Sequence, residues 1–429
     1  MNQALYDTFL QVLHKELIPA LGCTEPIAIA YAAAKARQVL GEKPQRIHLR
    51  CSGNIIKNVK GVAVPNAGGL KGVEAAAILG AIGGDADREL EVLQAVKPEH
   101  LEETRALLET NYCTCSLQEN VANLHIVAEV YAGAHSASVT IINRHTLITR
   151  IEKDDQVLFQ EEPVETKGDT TDWDSWNVAD ILEFAETVEI SAVKSLLDGQ
   201  IELNTAIAGA GLRRPFGAQI GRTLLEVCED TVWTRAKARA AAASDARMGG
   251  CSLPVVINSG SGNQGLTVSL PVIEYAKHLG SSDEKLYRAL VLSNLISIYQ
   301  KHFIGSLSAF CGAVTAAAGC GAAITWLHGG NLENICDTIA NTVANVGGMV
   351  CDGAKASCAA KIASAVDAAI MAHHLSMRGL KFQPGEGFVQ ADPQKTIQSL
   401  GYIGRVGMKS TDVEILNLML GNVDLEENS

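Results

Sequence analysis

Residues 303–327, FIGSLSAFCGAVTAAAGCGAAITWL, contain no Asp, Glu, Lys, Arg or His, although the run is long enough to cross a bilayer. The run consists mostly of Ala, Gly, Ser, Thr and Cys, and this composition is a weak signal for membrane insertion. Small residues instead let helices approach one another closely. We therefore predict that the run forms a deeply buried helix pair, and we expect no membrane span.

The sequence N-terminal to this run predicts a mixture of helices and strands. Residues 3–40 predict two helices joined around residues 22–26, from apolar residues at helical spacing and a proline suited to a first helical turn. Between residues 46 and 165, short β-rich runs are broken by Gly, Asn and Asp, with helix-like segments at 70–83 and 97–110. The predicted β-rich runs are RIHLRCSGNII, GVAVP, CTCSLQ, LHIVAEVYAG, HSASVTIINRHTLITRI and DQVLF.

A polar, acidic stretch, EEPVETKGDTTDWDSWN (161–177), has no periodicity and is the best linker candidate. Most of the chain beyond it indicates helices separated by glycine loops. We thus predict an α+β fold. An N-terminal α+β lobe with a small mixed sheet (1–165) precedes a linker (166–178) and a largely helical lobe (179–429).

Composition restricts the classes of function. The net charge of −13 disfavours nucleic-acid partners, because phosphate binding needs a basic surface. The N-terminus shows no secretion signal, so we expect a cytoplasmic protein. Eleven cysteines in a reducing compartment are core residues, metal ligands or reactive thiols rather than a disulfide framework.

Two cysteines, Cys351 and Cys358, lie in MVCDGAKASCAAK. On a continuous helix this spacing would place both thiols on one face. A turn at Gly353 that opens a helix carrying Cys358 would also bring them together. The spacing is longer than the common zinc patterns, so two thiols alone are a weak signal.

A third thiol must come from elsewhere in the helical lobe, and Cys311, Cys320 and Cys336 are the candidates. Three thiolates can hold an iron–sulfur cluster and leave one iron without a protein ligand. The alternative is that these cysteines are small buried hydrophobic residues.

The Gly-rich stretch SGSGNQG (259–265) precedes a helix-like segment. Such a loop presents free backbone N–H groups at a helix N-terminus and suits an anion such as a carboxylate. It lacks the GK[ST] of a Walker loop, and no convincing βαβ unit surrounds its GxGxxG pattern. A plain flexible turn is the alternative.

Two further stretches carry polar groups. In GCTEP (22–26), Cys23 precedes a helix, where the dipole would lower its pKa and favour a thiolate that is a base, a nucleophile or a cluster ligand. The alternative is an ordinary helix start capped by Thr24. In CSGNIIKNVKGVAVP (51–65), polar side chains at a strand end can face a cleft; they are Ser52, Asn54, Lys57 and Asn58. An ordinary strand-to-loop turn is the alternative.

Taken in order, GCTEP, SGNIIKN, SDARMGG, SGSGNQG, FCGAV and CDGAKASC closely resemble the L-cysteine desulfidase family, which is related to the α part of iron–sulfur L-serine dehydratases. The resemblance covers essentially the whole chain. It implies a 4Fe–4S cluster on Cys311, Cys351 and Cys358, with no pyridoxal phosphate. It implies that Cys23 is the base or occupies the fourth iron at rest. It implies substrate carboxylate binding at Ser259 to Gly265, whereas Cys320 and Cys336 match no family position. With the polar residues at the strand end, the predicted substrate-binding positions are Ser52, Asn54, Lys57, Asn58, Ser259, Ser261, Gly262, Asn263 and Gln264.

The implied reaction is β-elimination of L-cysteine to sulfide, ammonia and pyruvate. The short CDGAKASC form favours this branch over the serine dehydratases, which remain the nearest alternative. Lys57, Lys355 and Lys361 are the candidates for a pyridoxal-phosphate lyase, but no pattern singles one out. A non-catalytic iron–sulfur sensor or an amino-acid binding protein is the alternative from another class. We expect a small amino acid as the partner and a homo-oligomer.

Overall fold

The computed structural model describes residues 1–162, 171–305 and 307–423. The helices are α1 Gln3–Glu16, α2 Thr24–Leu40, α3 Gly53–Val59, α4 Val73–Gly83, α5 Pro98–Leu108, α6 Val178–Thr187, α7 Ile190–Arg213, α8 Ile220–Val227, α9 Val232–Met248, α10 Gly262–His278, α11 Asp283–Ile304, α12 Ala313–Leu327, α13 Leu332–Val346, α14 Cys358–Ser376, α15 Pro393–Tyr402 and α16 Lys409–Leu420. The strands are β1 Pro19–Leu21, β2 Arg46–Cys51, β3 Cys113–Leu117, β4 His125–Ala132, β5 His135–Ile142, β6 Ile148–Lys153, β7 Gln156–Gln160 and β8 Pro254–Val256. The predicted α+β class, with a small mixed sheet followed by helices, is confirmed.

The larger sheet has the strand order β3-β2-β4-β5-β6-β7. β2 and β3 are parallel, and the other neighbouring pairs are antiparallel. Helix α2, which is alanine-rich and almost fully buried, packs against β4, β5 and α4. Small side chains on α2 allow this close contact: a Cβ atom on Gly80 of α4 would lie 2.2 Å from the Ala30 carbonyl oxygen.

Within the uncharged run at 303–327, the helix α12 is almost entirely buried. Of the predicted helix pair, only α12 lies within the run, from Ala313; its partner α11 begins at Asp283 and ends at Ile304, and the two helices pack against each other. A Cβ atom on Gly319 would lie 2.5 Å from the Ser293 carbonyl oxygen, so the small residues do bring these backbones together. Among the described residues, no helix is both long and apolar enough to span a membrane.

Two predicted β-rich runs are not strands over their full length. The strand in RIHLRCSGNII ends at Cys51, and α3 follows from Gly53 because Ile55 and Val59, four positions apart, bury on one helix face. The GVAVP segment is a bend with an isolated bridge between Ala63 and Lys71. Its Pro65 has no N–H to donate to a sheet.

Only part of the predicted linker is described, since residues 163–170 lie outside the described residues. In the remainder, Trp176 is buried and its ring meets Phe9 of α1 edge-on at 4.4 Å between centroids. Trp173 stacks on His302 of α11. The C-terminal part of this segment is therefore anchored to helices, while the predicted domain boundaries stay a prediction.

A second, two-stranded sheet joins the N-terminal and C-terminal parts of the chain. β1 pairs antiparallel with β8, with Pro19 opposite Val256 and Leu21 opposite Pro254. GCTEP follows β1 in the chain, and SGSGNQG follows β8. This pairing places the two sequence motifs side by side although more than two hundred residues separate them.

Candidate functional site

The GCTEP turn is held by a close contact with a neighbouring loop. Gly22 has a φ of +59°, and a Cβ atom on it would lie 2.1 Å from Pro65 Cγ. Any larger residue would therefore push the turn away from the 61–65 bend. Cys23 follows as the N-cap residue of α2, and its thiol makes no capping hydrogen bond.

Glu25 is the centre of a buried hydrogen-bond network. The Cys23 thiol donates to Glu25 Oε2 at 3.0 Å, and the Asn58 amide donates to Glu25 Oε1 at 3.1 Å. The Thr24 hydroxyl lies 3.2 Å from Glu25 Oε2 and 3.1 Å from the Gly260 carbonyl oxygen, so it links the turn to the Gly-rich loop. This network connects α2, α3 and the loop before α10.

Electrostatics keep this carboxylate ionised. Burial alone would raise the pKa of Glu25, but His145, the Cys23 hydrogen bond and a smaller contribution of Arg247 outweigh it. The pKa of Glu25 therefore lies below its ordinary value. A buried carboxylate that accepts several hydrogen bonds stays charged for this reason.

The expected thiolate at Cys23 is wrong for this arrangement. Burial raises the pKa of the Cys23 thiol well above its ordinary value, and the Glu25 carboxylate raises it further. The helix dipole cannot offset the loss of hydration and a neighbouring negative charge. Cys23 is thus a neutral thiol that donates a hydrogen bond to the Glu25 carboxylate.

Two residues at the site, His145 and Arg247, were not among the predicted positions. His145 lies between β5 and β6, and its Cε1 is 3.5 Å from where a Cβ on Gly260 would be. Its Nε2 is enclosed and has no hydrogen-bond partner among the described residues. Burial lowers the pKa of His145, Glu25 opposes this effect and Arg247 adds to it. No local pattern marks His145, because only the sheet brings this hairpin to the site.

Arg247 lies within SDARMGG, a stretch that had no residue-level role in the sequence. Its companion Asp245 is buried and accepts the Gly221 backbone N–H at 3.0 Å, so it holds the start of α8. Arg247 is buried at the end of α9 and acts electrostatically on Cys23, Glu25 and His145. The motif therefore combines a structural carboxylate with a guanidinium at the site.

The Gly-rich loop is a helix start, as predicted, and its serines have structural partners. Ser261 is the N-cap of α10 and accepts from the Gln264 backbone N–H at 3.5 Å. The Ser259 hydroxyl donates to Asn258 Oδ1 at 3.0 Å. The Gln264 side chain donates to the Asn258 carbonyl oxygen at 3.4 Å, whereas Asn263 Oδ1 is enclosed without a partner among the described residues.

Cys311 and Cys351 are brought together by backbone pairing. The Cys311 N–H donates to the Met349 carbonyl at 3.0 Å, and the Cys351 N–H donates to the Ala309 carbonyl at 2.6 Å. An antiparallel bridge joins the two residues between these bonds, Phe310 and Val350. The loop is also next to the Gly-rich motif, because a Cβ on Gly312 would lie 2.7 Å from Gln264 Cδ.

Cys358 opens α14 after a turn at Gly353, so the second of the two predicted arrangements for this pair is the one present. Gly353 has a φ of +93°, and a Cβ atom on it would lie 2.3 Å from the Lys57 carbonyl oxygen. The Cys358 thiol faces the Gly353 carbonyl at 3.7 Å. Cys358 also packs in the small cluster that contains Cys23 and Met248.

Cys351 and Cys358 act electrostatically on Cys311, and Cys351 also acts on Cys358. Burial raises the pKa of Cys311 to about 12, and Cys351 and Cys358 add to this increase. Burial also raises the pKa of Cys358, with a further contribution from Cys351. Charges act in this way only over short distances, so the three sulfurs lie in one region.

The donor set suits a cluster better than a single ion. Within residues 1–162, 171–305 and 307–423, no three His, Cys, Asp or Glu side chains form a group that could hold a metal ion. A single zinc needs all its sulfurs within about 2.3 Å of one point. In a 4Fe–4S cluster each thiolate binds a different iron, so the sulfurs lie farther apart. Cys311, Cys351 and Cys358 are free, half-buried thiols, and thiolates are the usual protein ligands of such clusters.

The predicted positions on α3 divide into two groups. Asn58 bonds Glu25, and the Oδ1 atoms of Asn54 and Asn58 are enclosed without partners in the described part of the chain. Ser52 instead donates to the Asn123 carbonyl at 2.7 Å, and Lys57, almost fully buried, forms an ion pair with Asp412 of α16. The substrate-binding role of each position stays a prediction.

Comparisons with known proteins identify relatives over nearly the full chain. The family model described as serine dehydratase alpha chain matches residues 87–417. A UPF0597 protein of Lachnoclostridium phytofermentans is 56% identical over 97% of this chain and 100% of its own length. UPF0597 proteins of Desulfitobacterium hafniense and Treponema denticola are 50% and 46% identical, over 97% and 98% of this chain and 97% and 99% of their own lengths.

Proposed function

Since the chain belongs to the serine dehydratase alpha chain family, we propose that it is an iron–sulfur lyase that converts L-cysteine into sulfide, ammonia and pyruvate. The observation that carries the proposal is the backbone pairing of the segments that hold Cys311 and Cys351, together with the packing of Cys358 against Cys23. Family membership supports an elimination by a lyase. The cysteine substrate and the cluster are the finer parts of our proposal.

Cys311, Cys351 and Cys358 would hold a 4Fe–4S cluster. When bound, this group would supply a Lewis acid, because one of its irons has no thiolate from this triad. The chain's own residues secure the loop: Lys355 and Lys361 both form ion pairs with Asp352, and the Lys361 ammonium also donates to the Val350 carbonyl at 2.8 Å. These contacts hold the backbone of the loop between Val350 and Lys361.

In the proposed elimination, two proton transfers are concerted: the Cys23 thiol proton moves to Glu25 while the Cys23 sulfur takes the α-proton of the substrate, so no free Cys23 thiolate forms. The C–H electron pair forms the Cα=Cβ bond, and the C–S bond breaks with its electron pair on sulfur. Aminoacrylate tautomerises to the imine, which water hydrolyses to pyruvate and ammonia. The hydrogen bond of 3.0 Å from Cys23 to Glu25 provides the path for the first transfer.

L-serine is the alternative substrate, and the description of the matching family favours it. Iron in a sulfur-rich environment is soft and prefers a thiolate leaving group to hydroxide, which supports cysteine. The test is turnover of L-cysteine and L-serine by anaerobically reconstituted protein, with sulfide and pyruvate measured together. Pyruvate from serine with no sulfide from cysteine would contradict the proposal.

A pyridoxal-phosphate mechanism would need a free lysine. Lys57 is paired with Asp412, and Lys355 and Lys361 share Asp352, so each of the three candidates has a carboxylate partner. A broad brown absorbance after iron reconstitution is the expected spectrum, and a sharp imine band would refute it. Iron binding without any pyruvate would instead indicate a sensor or a binding protein.

We further propose a small amino acid as the only partner besides a second copy of the chain, and the cytoplasm as the location. All eleven cysteines are free, which suits a reducing compartment. The net charge of −13 supports the absence of nucleic-acid partners.

A further inference from the structure

Arg247 is a buried guanidinium whose hydrogen bonds are incomplete. It is 2% exposed, and its Nε is enclosed without a hydrogen-bond partner among the described residues. Leaving a charged donor unpaired in the interior costs more than leaving a neutral one unpaired. Glu25, the nearby carboxylate, already accepts from Cys23 and Asn58. Arg247 Nε is therefore a buried hydrogen-bond donor without an acceptor among the described residues.

The Gly-rich loop makes room for this guanidinium. A Cβ atom on Gly262 would lie 2.3 Å from Arg247 Nε and 2.7 Å from its Cζ. Because no side chain can be added at Gly262 without displacing these atoms, the guanidinium lies directly against the first residue of α10. The positive end of the α10 dipole and the Arg247 charge thus occur at the same place.

Acceptors are found close to the same loop. Asn263 Oδ1 and Asn58 Oδ1 are enclosed and have no partner in the described ranges, and Asn58 also holds the ionised Glu25. Thr24 joins Glu25 to Gly260 of the loop. A ligand here meets a cationic donor on one side and neutral or anionic acceptors on the other, which is the pattern that a zwitterionic α-amino acid needs.

We infer that Arg247 binds the α-carboxylate of the substrate, and that Gly262 lacks a side chain because the guanidinium occupies that space. This inference rests on the proposed function and identifies the carboxylate-binding group of its site. Ser261 caps α10 and Ser259 bonds Asn258, so the charge that recognises the anion comes from Arg247 of α9.

The test uses the full-length, anaerobically reconstituted protein and two analogues of cysteine that each lack one group. 3-Mercaptopropionate keeps the carboxylate, and cysteamine keeps the amine. In Arg247→Met, the Kd of 3-mercaptopropionate measured by calorimetry should rise roughly 10- to 150-fold, as for loss of a charged hydrogen bond. The Kd of cysteamine should change less than about twofold.

Arg239→Met is the matched control, since Arg239 is on the same helix and pairs with Glu274. It should change neither Kd. Gly262→Ala should reproduce the selective loss by displacing the guanidinium, and it keeps the question answerable if Arg247→Met does not fold. Equal weakening of both analogues, unchanged 3-mercaptopropionate binding in both variants, or no binding by the wild type would overturn the inference.

The sulfide assay separates this inference from the proposed function. Sulfide release with unchanged 3-mercaptopropionate binding in Arg247→Met would leave the lyase and remove Arg247 from carboxylate recognition. Selective loss of 3-mercaptopropionate binding in a protein that releases no sulfide would leave the carboxylate site and remove the lyase.

Discussion

The Cys23–Glu25 turn and the loops that carry Cys311, Cys351 and Cys358 lie close together, but they are held in different ways. In the turn, side chains bond side chains, and both oxygens of Glu25 accept hydrogen bonds. In the cysteine loops, the backbone makes the contacts through paired segments and a glycine with positive φ. The turn thus holds the charge of Glu25 in place, whereas the loops fix the backbone segments that carry the three cysteines.

The largest effect should come from breaking the cysteine loops. Cys358→Ala or Cys351→Ala should lose nearly all cluster iron, because the remaining two thiols cannot hold a 4Fe–4S cluster. Iron and sulfide analysis after anaerobic reconstitution measures this. Cys320→Ala, in the buried middle of α12, is the control and should keep its iron. Wild-type iron in the two site variants would refute the ligand assignment.

The second largest effect should be a loss of turnover without a loss of iron, which distinguishes the role of the Cys23–Glu25 turn from that of the cysteine loops. Glu25→Gln should retain iron and reduce kcat by about 10²–10⁴-fold, because the proton acceptor is lost while the shape stays. Cys23→Ala should likewise keep much of its iron and lose turnover. Steady-state sulfide release, measured on protein of known iron content, gives both values. Full activity in either variant would remove that residue from the mechanism.

A smaller effect tests whether backbone conformation holds the cysteine loops. Gly353→Ala should lower the free energy of unfolding by about 1–3 kcal/mol, because Gly353 has positive φ and lies against the Lys57 carbonyl. Iron should also be lost faster on exposure to a chelator. Gly348→Ala is the control, since a Cβ there meets nothing within 4 Å. Equal stability of the two variants would contradict this account of the loop.

The smallest effect concerns the start of α10. Ser261→Ala removes an N-cap with a long hydrogen bond of 3.5 Å, so the loss of stability should lie near the lower end of about 0.5–2 kcal/mol. KM for L-cysteine should stay within about twofold if the serine only caps the helix. Thermal unfolding and steady-state kinetics measure the two quantities. A large rise in KM would restore Ser261 as a substrate ligand.

Much of the fold could be predicted from local pattern. The helices at the N-terminus, the sheet strands and the buried helix α12 follow from apolar periodicity and small residues, which act over a few positions in sequence. α3 could not be separated from β2 in this way, since the run RIHLRCSGNII is β-rich throughout and only packing of Ile55 and Val59 shows where the strand ends.

The site was predictable as a set of motifs but not as an arrangement. Cys311, Cys351 and Cys358 were named from the sequence, and so was the GCTEP turn, yet the expected thiolate of Cys23 was reversed by burial and by Glu25. His145 is not part of any of the sequence motifs, and Arg247 lies within SDARMGG without a local pattern that marks its role. Both residues lower the pKa of Glu25 because the fold brings them close to it.

The sequence alone determined the fold class, the helical centre of the C-terminal lobe and the thiols that the cluster proposal needs, because these depend on composition and short spacing. Only the tertiary structure decided which of these residues meet: the pairing of β1 with β8 brings Cys23 to the Gly-rich loop. It also decided their charge, since pKa values depend on burial and on neighbours that are distant along the chain.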